Sequence, residues 1–265
     1  MDYSIYQVDA FTDSLFKGNP ACVVPLDRWL EDDVLLNVAK ENGVPETAFF
    51  VQKNNEIHLR WFTPDIEMDL CGHATLATAH VIKKHLHYQG EILNFKTLSG
   101  DVKVSISNYK YFLDFPSRMP VDTSLPNNLK EALNLIPNRV LKSRDYVLVY
   151  ENEAAIRNIQ IKRNLFDTLD LGTGGVVVTS QGEKVDFVSR FFTPRATLLE
   201  DPVTGSAHCS LIPYWASKLN KERLSAQQLS ERGGTLICEN LGDRVLIGGE
   251  AVSYTHLTLP TNREV

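Results

Sequence analysis

The 265-residue chain carries 27 Lys and Arg against 33 Asp and Glu, a formal charge of −6, and 43% of its residues are hydrophobic. Such a chain can bury a sizeable core in one large or two ordinary domains, which excludes a disordered protein, and its acidic balance without basic clusters argues against a nucleic-acid or anionic-membrane partner. Met1-Asp-Tyr-Ser-Ile-Tyr6 has neither a basic nor an apolar leader, no run approaches about 18 apolar residues, and Cys22, Cys71, Cys209 and Cys238 share no metal or redox spacing, so the expectation is a cytoplasmic protein with reduced thiols.

In chain order, strand-sized runs stand at Ile5 to Phe11, Ala21 to Val24, Thr47 to Val51, Ile57 to Phe62, Ile92 to Lys96, Val102 to Ile106 and Tyr111 to Phe115, each ended by Gly, Pro, Asn or Asp. Glu31 to Glu41 has apolar residues at helical spacing and an acidic first turn, the pattern of a surface helix. Ala74 to Leu86 is apolar almost all round, which predicts a buried helix, and Ala207 to Leu219 has the same character. Leu171-Gly-Thr-Gly-Gly-Val176 lacks the third glycine and the following helix of a nucleotide loop, so a turn before a strand is expected.

Arg60-Trp-Phe-Thr-Pro64 reappears 130 residues on as Arg190-Phe-Phe-Thr-Pro194, nearly half the chain away. After each copy a glycine-containing turn opens an apolar helix: Cys71-Gly-His-Ala-Thr75 in the first, Asp201-Pro-Val-Thr-Gly-Ser206 in the second. A tandem duplication predicts an α+β fold of two pseudo-symmetric domains, each a curved, mainly antiparallel sheet around a central helix. Turn formers after Pro116 put the boundary near Val121, giving domains 1–120 and 121–251. Residues 252–265, beginning Val252-Ser-Tyr-Thr-His, lack strand patterning and are expected to be a non-native tail.

Helix starts leave backbone N–H groups unpaired, so Gly72 and Gly205 facing each other would hold a small carboxylate without help from Arg or Lys. As tight-turn residues alone they would do nothing chemical. His73 is a candidate acid or base, while the seven histidines show no metal-binding spacing. At the 130-residue offset Glu46 falls on Val176, so an acid in one copy replaces an apolar residue in the other. A carboxyl group at the head of an apolar strand is partly desolvated, a circumstance that suits proton transfer near neutral pH. The plainer reading is a loop-capping acid.

Gly18-Asn-Pro-Ala21, Glu46-Thr47, Cys71-Gly-His-Ala-Thr75 and Asp201-Pro-Val-Thr-Gly-Ser206 together resemble the PhzF-like family of phenazine-biosynthesis isomerases, over about Tyr6 to Gly249. That resemblance implies the diaminopimelate epimerase-like fold, with Glu46 as the proton-shuttling acid/base, His73 and Asp201 beside it, and Asn19, Gly72, Gly205 and Ser206 at the substrate. It implies no metal and no cofactor. Related epimerases use two opposed cysteines, whereas this chain has Cys71 and then Pro202 or Asp201 in the matching place, which disfavours a two-thiol racemase. The expected activity is therefore a proton-moving isomerisation of a small carboxylate, with a homodimer as the default assembly. A Cys71-dependent epimerase and a non-catalytic metabolite-binding protein stand as alternatives.

Overall fold

The computed structural model describes residues 3–53 and 56–254. The first half runs β1 (Tyr6–Ala10), β2 (Asn19–Leu26), α1 (Asp32–Asn42), β3 (Glu46–Lys53), β4 (Glu56–Phe62), β5 (Glu67–Met68), α2 (Gly72–Lys84), β6 (Ile92–Thr97), β7 (Gly100–Ser107) and β8 (Lys110–Pro116). There follow β9 (Val121–Asp122), α3 (Asn127–Ala132), β10 (Arg139–Lys142), β11 (Tyr146–Val149), α4 (Glu153–Arg157), α5 (Arg163–Phe166), β12 (Val176–Gln181), β13 (Phe187–Phe192) and β14 (Glu200–Asp201). A 3₁₀ turn at Gly205–Ala207 then leads into α6 (His208–Leu219), β15 (Arg223–Gln228), β16 (Gly234–Asn240), β17 (Arg244–Gly249) and β18 (Ala251–Ser253).

Strand pairing repeats between the halves. In the first, β2 lies parallel to β3, β3 antiparallel to β4, β4 parallel to β6, and β6, β7 and β8 follow antiparallel. In the second, β11, β12, β13, β15, β16 and β17 reproduce that sequence of directions. The halves meet where β8 pairs antiparallel with β17, and Leu113 and Ile247, each the fourth residue of its strand, face one another there, both fully buried. The expected boundary at residue 120 falls between β8 and β9. Beyond it the chain exchanges strands: β9 adds to β10 of the second half, and β18 returns to β1 of the first.

That exchange corrects one part of the expectation for 252–265, the lack of a strand at its start. Val252 and Ser253 pair with Asp9 and Val8, the Ser253 hydroxyl lies 2.7 Å from His85 Nε2 and 3.3 Å from His80 Nε2, and the Tyr254 hydroxyl donates to Asp9 at 2.7 Å. The strand was missed because an added edge strand of this length is half-exposed and carries little alternation. The rest of the expected tail, 255–265, lies outside the described residues.

Why the central elements form is plain from their packing. Strand β3 is buried on both faces, Ala48 and Phe50 toward the inner core and Phe49 and Val51 toward α1, so it reads as a continuous apolar run. Helix α2 is buried from Gly72 through Ile82, and its threonines hide their hydroxyls by bonding back to the Cys71 and Ala74 carbonyls. Helix α6 contains Pro213, which has no N–H to give the Cys209 carbonyl; the Arg118 amide supplies that bond from outside at 2.8 Å. Large side chains such as Trp61, Phe95 and Phe187 are fully buried around these helices, each contributing about 1.5–3 kcal/mol.

The repeated motif has the same task in both halves. Arg60 clamps Glu67 through two bonds of 2.6 and 2.7 Å and stacks on Phe62; Arg190 clamps Glu200 at 2.7 and 2.8 Å and stacks on Phe192. Each clamp fixes the short strand, β5 or β14, that delivers the chain to a helix-starting glycine.

Candidate active site

Strand β2 begins at Asn19, because Gly18 turns the chain with φ +65° where a Cβ would lie 2.2 Å from the Ala10 carbonyl oxygen. The loop before it is tied down by buried Asp9, which accepts from Arg232 at 2.7 Å, the Phe16 amide at 2.9 Å and Tyr254. Glu46 opens β3, and Ala21 stands opposite it in the parallel register. Gly72 and His73 open α2, preceded by Cys71. The two helix starts touch: a Cβ on Gly72 would lie 3.3 Å from the Gly205 Cα, and one on Gly205 would lie 3.4 Å from the Gly72 Cα. A side chain at Gly72 would have to push the facing backbone back by a few tenths of an ångström.

Around that contact the structure gathers Asn19, Glu46, His73 and Asp201. The Asn19 amide nitrogen donates to Asp201 Oδ1 at 2.7 Å and to the Val203 carbonyl at 2.9 Å, and lies 3.1 Å from His73 Nδ1. On the other edge of the ring, Nε2 stands 3.1 Å from Glu46 Oε2. That contact has ion-pair distance but lacks hydrogen-bond alignment, and His73 Nε2, Glu46 Oε2 and Asn19 Oδ1 are all buried without a hydrogen bond among the described residues. Buried polar atoms are ordinarily satisfied, so His73 Nε2 and Glu46 Oε2, facing each other from a helix and a strand without a hydrogen bond, mark a place open to a ligand.

Electrostatics sharpen the picture. Burial by itself would lower the His73 imidazole, and its neighbours Cys71 and Glu46 overturn that effect, holding it well above 6.5. Burial pushes the Cys71 thiol above its usual 9.0, so it stays neutral at pH 7. At Nδ1 the ring meets the Asn19 donor, with Cys71 Sγ 3.6 Å away, so the network assigns the proton of a neutral ring to Nε2, facing Glu46. Asp201 is raised, chiefly by burial.

Glu46, Cys71 and His73 offer ligand atoms within 4.8 Å of one another. Cys71 addresses Nδ1 and Glu46 addresses Nε2, so these contacts reach the ring from different edges and the three do not converge on one ion as a tetrahedral site requires.

Sequence reasoning missed three residues here. Thr204 donates to Asp201 Oδ2, and Gln228 receives the Thr204 amide at 2.9 Å while donating to the Asp201 carbonyl at 2.6 Å. Arg144 donates to Ser206 Oγ at 2.9 Å, so Ser206 is bonded to a guanidinium and not to the Asn19 network. Thr204 also corrects the residue opposite Cys71. Cys71 precedes Gly72 as Thr204 precedes Gly205, while Asp201 pairs with Phe191 as Met68 pairs with Trp61, so the place assigned to Pro202 or Asp201 belongs to threonine. The one signal available was its position just before the glycine. A groove of about 560 Å³ runs nearby between Phe11, Lys17, Gln228, Arg232 and Gly249, yet none of Asn19, Glu46, His73 or Asp201 lines it.

Comparison with known proteins accords with this geometry. The pattern of the phenazine biosynthesis-like protein family matches residues 8–256. A Pseudomonas aeruginosa protein described as an uncharacterized isomerase is 46% identical, over 98% of this chain and 99% of that protein. The crystal structure of a PhzF-family phenazine biosynthesis protein from Enterococcus faecalis superposes with TM-score 0.91 at 45% identity, covering 96% of this chain and 97% of that one. A hydroxyproline epimerase from Agrobacterium vitis, 8% identical, covers 95% of this chain and 90% of its own with TM-score 0.61, which shows the shared epimerase-like fold alone. Among the described residues no helix is long and apolar enough to cross a membrane.

Proposed function

The chain belongs to the phenazine biosynthesis-like protein family, and from that premise we propose that it is an isomerase in which Glu46 moves a proton on a small carboxylate substrate. The observation that carries this reading is the Glu46 carboxyl itself, beside His73 with a buried, unsatisfied oxygen; the strand register corrects its counterpart in the other half from Val176 to Gly175, which likewise has no acid. Glu46 as carboxylate takes a proton from a carbon next to an activating group, holds it as the acid, and returns it to another atom of the same molecule. No proton is gained or lost overall. His73 keeps the carboxyl oriented, and Asp201, fixed by Asn19 and Thr204, meets polar substituents of the substrate.

Such an acid/base contributes about 10²–10⁴ in rate, and enclosure with the amides at Gly72 and Gly205 supplies further stabilisation of developing negative charge. A Cys71-dependent epimerase is less well supported, because a neutral buried thiol is a poor base and Thr204 in the opposite place cannot act as a second thiol. Four buried, free cysteines suit a reducing cytoplasm.

The test is solvent-deuterium exchange into a panel of hydroxylated and aminated carboxylates, with Glu46→Gln as the blank. Label entering one of them with the wild type and not with the variant is the expected result. Undiminished exchange in Glu46→Gln would refute the role of Glu46, and binding without any exchange would leave a metabolite-binding protein.

A further inference from the structure

The structure assigns Gln228 the part of a positioning residue for Asp201. Through the Thr204 hydroxyl it fixes that carboxyl as an acceptor, so the substrate group that meets Asp201 is a donor, a hydroxyl or an amine; this rests on the reading above in placing Asp201 at the substrate. Gln228 ends β15 and is only 1% exposed. Its partners fix which way round the amide lies. The Thr204 N–H can only donate and meets Oε1 at 2.9 Å, while the Asp201 carbonyl can only accept and meets Nε2 at 2.6 Å. Nε2 is therefore the atom that faces Thr204 Oγ1, at 3.3 Å, and donates to it. With that oxygen supplied, the hydroxyl turns its own proton to Asp201 Oδ2, and Asn19 donates to Oδ1 at 2.7 Å. Both carboxyl oxygens thus face donors, which favours the ionised form.

A plain structural role for Gln228 would be to hold the loop from Asp201 to Thr204. The first half holds its loop without such a residue. In the register set by Arg60 and Arg190, Met68 stands where the second half has Asp201, Asp69 where it has Pro202, and Thr97 where it has Gln228. Two residues further on, each half has a serine that ties the loop: Ser99 donates to the Asp69 carbonyl and Ser230 to the Pro202 carbonyl, both at 2.7 Å. Thr97 gives its hydroxyl proton to Gly100 within its own hairpin. The glutamine therefore occurs in the half that has an acid at this place and not in the half that has Met68 there. Burial raises the Asp201 carboxyl; His73 from α2 lowers it, Glu46 from β3 raises it, and the bonds from Thr204 and Asn19 lower it.

The test is the titration of the Asp201 carboxyl, followed by carbon-13 NMR of the full chain labelled at its aspartate carboxyls, with Asp201→Asn identifying the signal. Gln228→Met keeps the length of the side chain and removes its amide. It should move the Asp201 midpoint up by about one pH unit or more, about a tenfold change, the scale of one charge-assisted hydrogen bond. Thr204→Val, which leaves the main-chain bonds to Gln228 in place, should raise the midpoint as well. Adding Gln228→Met to Thr204→Val should raise it little further, because both act through one hydroxyl. An unmoved midpoint in Gln228→Met, folded by circular dichroism, overturns the assignment. So does a shift that persists undiminished on the Thr204→Val background, since the glutamine would then only hold the loop. If Gln228→Met does not fold, Gln228→Asn, with its amide drawn back by one methylene, takes its place under the same two criteria. The titration needs no turnover and gives its answer whether or not Glu46 is the acid/base, so failure of the positioning role and failure of the catalytic reading are told apart.

Discussion

In the first half Asn19 meets His73 while in the second Arg144 meets Ser206, and the strand register set by Arg60 and Arg190 puts Gly175 where the first half has Glu46. The backbones correspond, down to the glycines in contact and the arginine clamps behind them. What differs is which side can bear a buried acid. Gly175 leaves no side chain at that register position, and Val176 beside it packs into the second half's own core with Phe166 and Phe192. Duplication thus provides two like frames, of which only the first carries a carboxyl group at this register position.

The largest effect should come from removing that group. Glu46→Gln is expected to lower the exchange rate at saturating substrate by about 10²–10⁴ while leaving the unfolding midpoint near wild type; a matching loss of stability would make Glu46 structural instead. In the second half, Val176→Glu puts a carboxyl at a fully buried position among apolar side chains and should cost on the order of 4 kcal/mol, read by urea unfolding. A variant as stable as wild type would show that the second half's own core accommodates an acid.

Next in size is the contrast between the two helix-start histidines. Burial pushes His208 down to about 4, its Nδ1 held at the Thr204 carbonyl, so the unfolded chain takes up a proton from 6.5 downward that the folded chain refuses. Stability should fall by about 3 kcal/mol as pH drops from 6.5 to 4. His80, pushed by burial to about 3, adds to that fall. His73 tilts the other way: raised above 6.5, its contribution is complete below that pH and fades as pH rises through its folded value. Unfolding free energy measured from pH 4 to 9 should peak between these limbs, and His208→Gln should flatten the acid one. The smallest effect concerns the exchanged strand, where Tyr254→Phe removes one bond to Asp9 and should cost about 1 kcal/mol by thermal or urea unfolding.

Much of this was legible in the chain. The strands at Thr47 to Val51 and Ile57 to Phe62 and the all-apolar helix after Gly72 follow from period and burial, and the Arg60 and Arg190 motifs announced the duplication. Thr204 was misplaced because the repeat is not rigid: the stretch from Pro194 to Gly205 is three residues longer than that from Pro64 to Gly72, so a constant offset points to the wrong residue. Arg144 and Gln228 gave no local signal, since each matters only through a partner more than twenty positions away.

Side-chain period decides which face of a strand or helix is apolar, and for that the sequence sufficed. The encounter of Asn19, Glu46, His73 and Asp201 required the pairing of β8 with β17 and the contact of Gly72 with Gly205. Those contacts join residues far apart along the chain, and they are stabilised by a core shared across both halves, so no segment taken alone contains the information that brings them together.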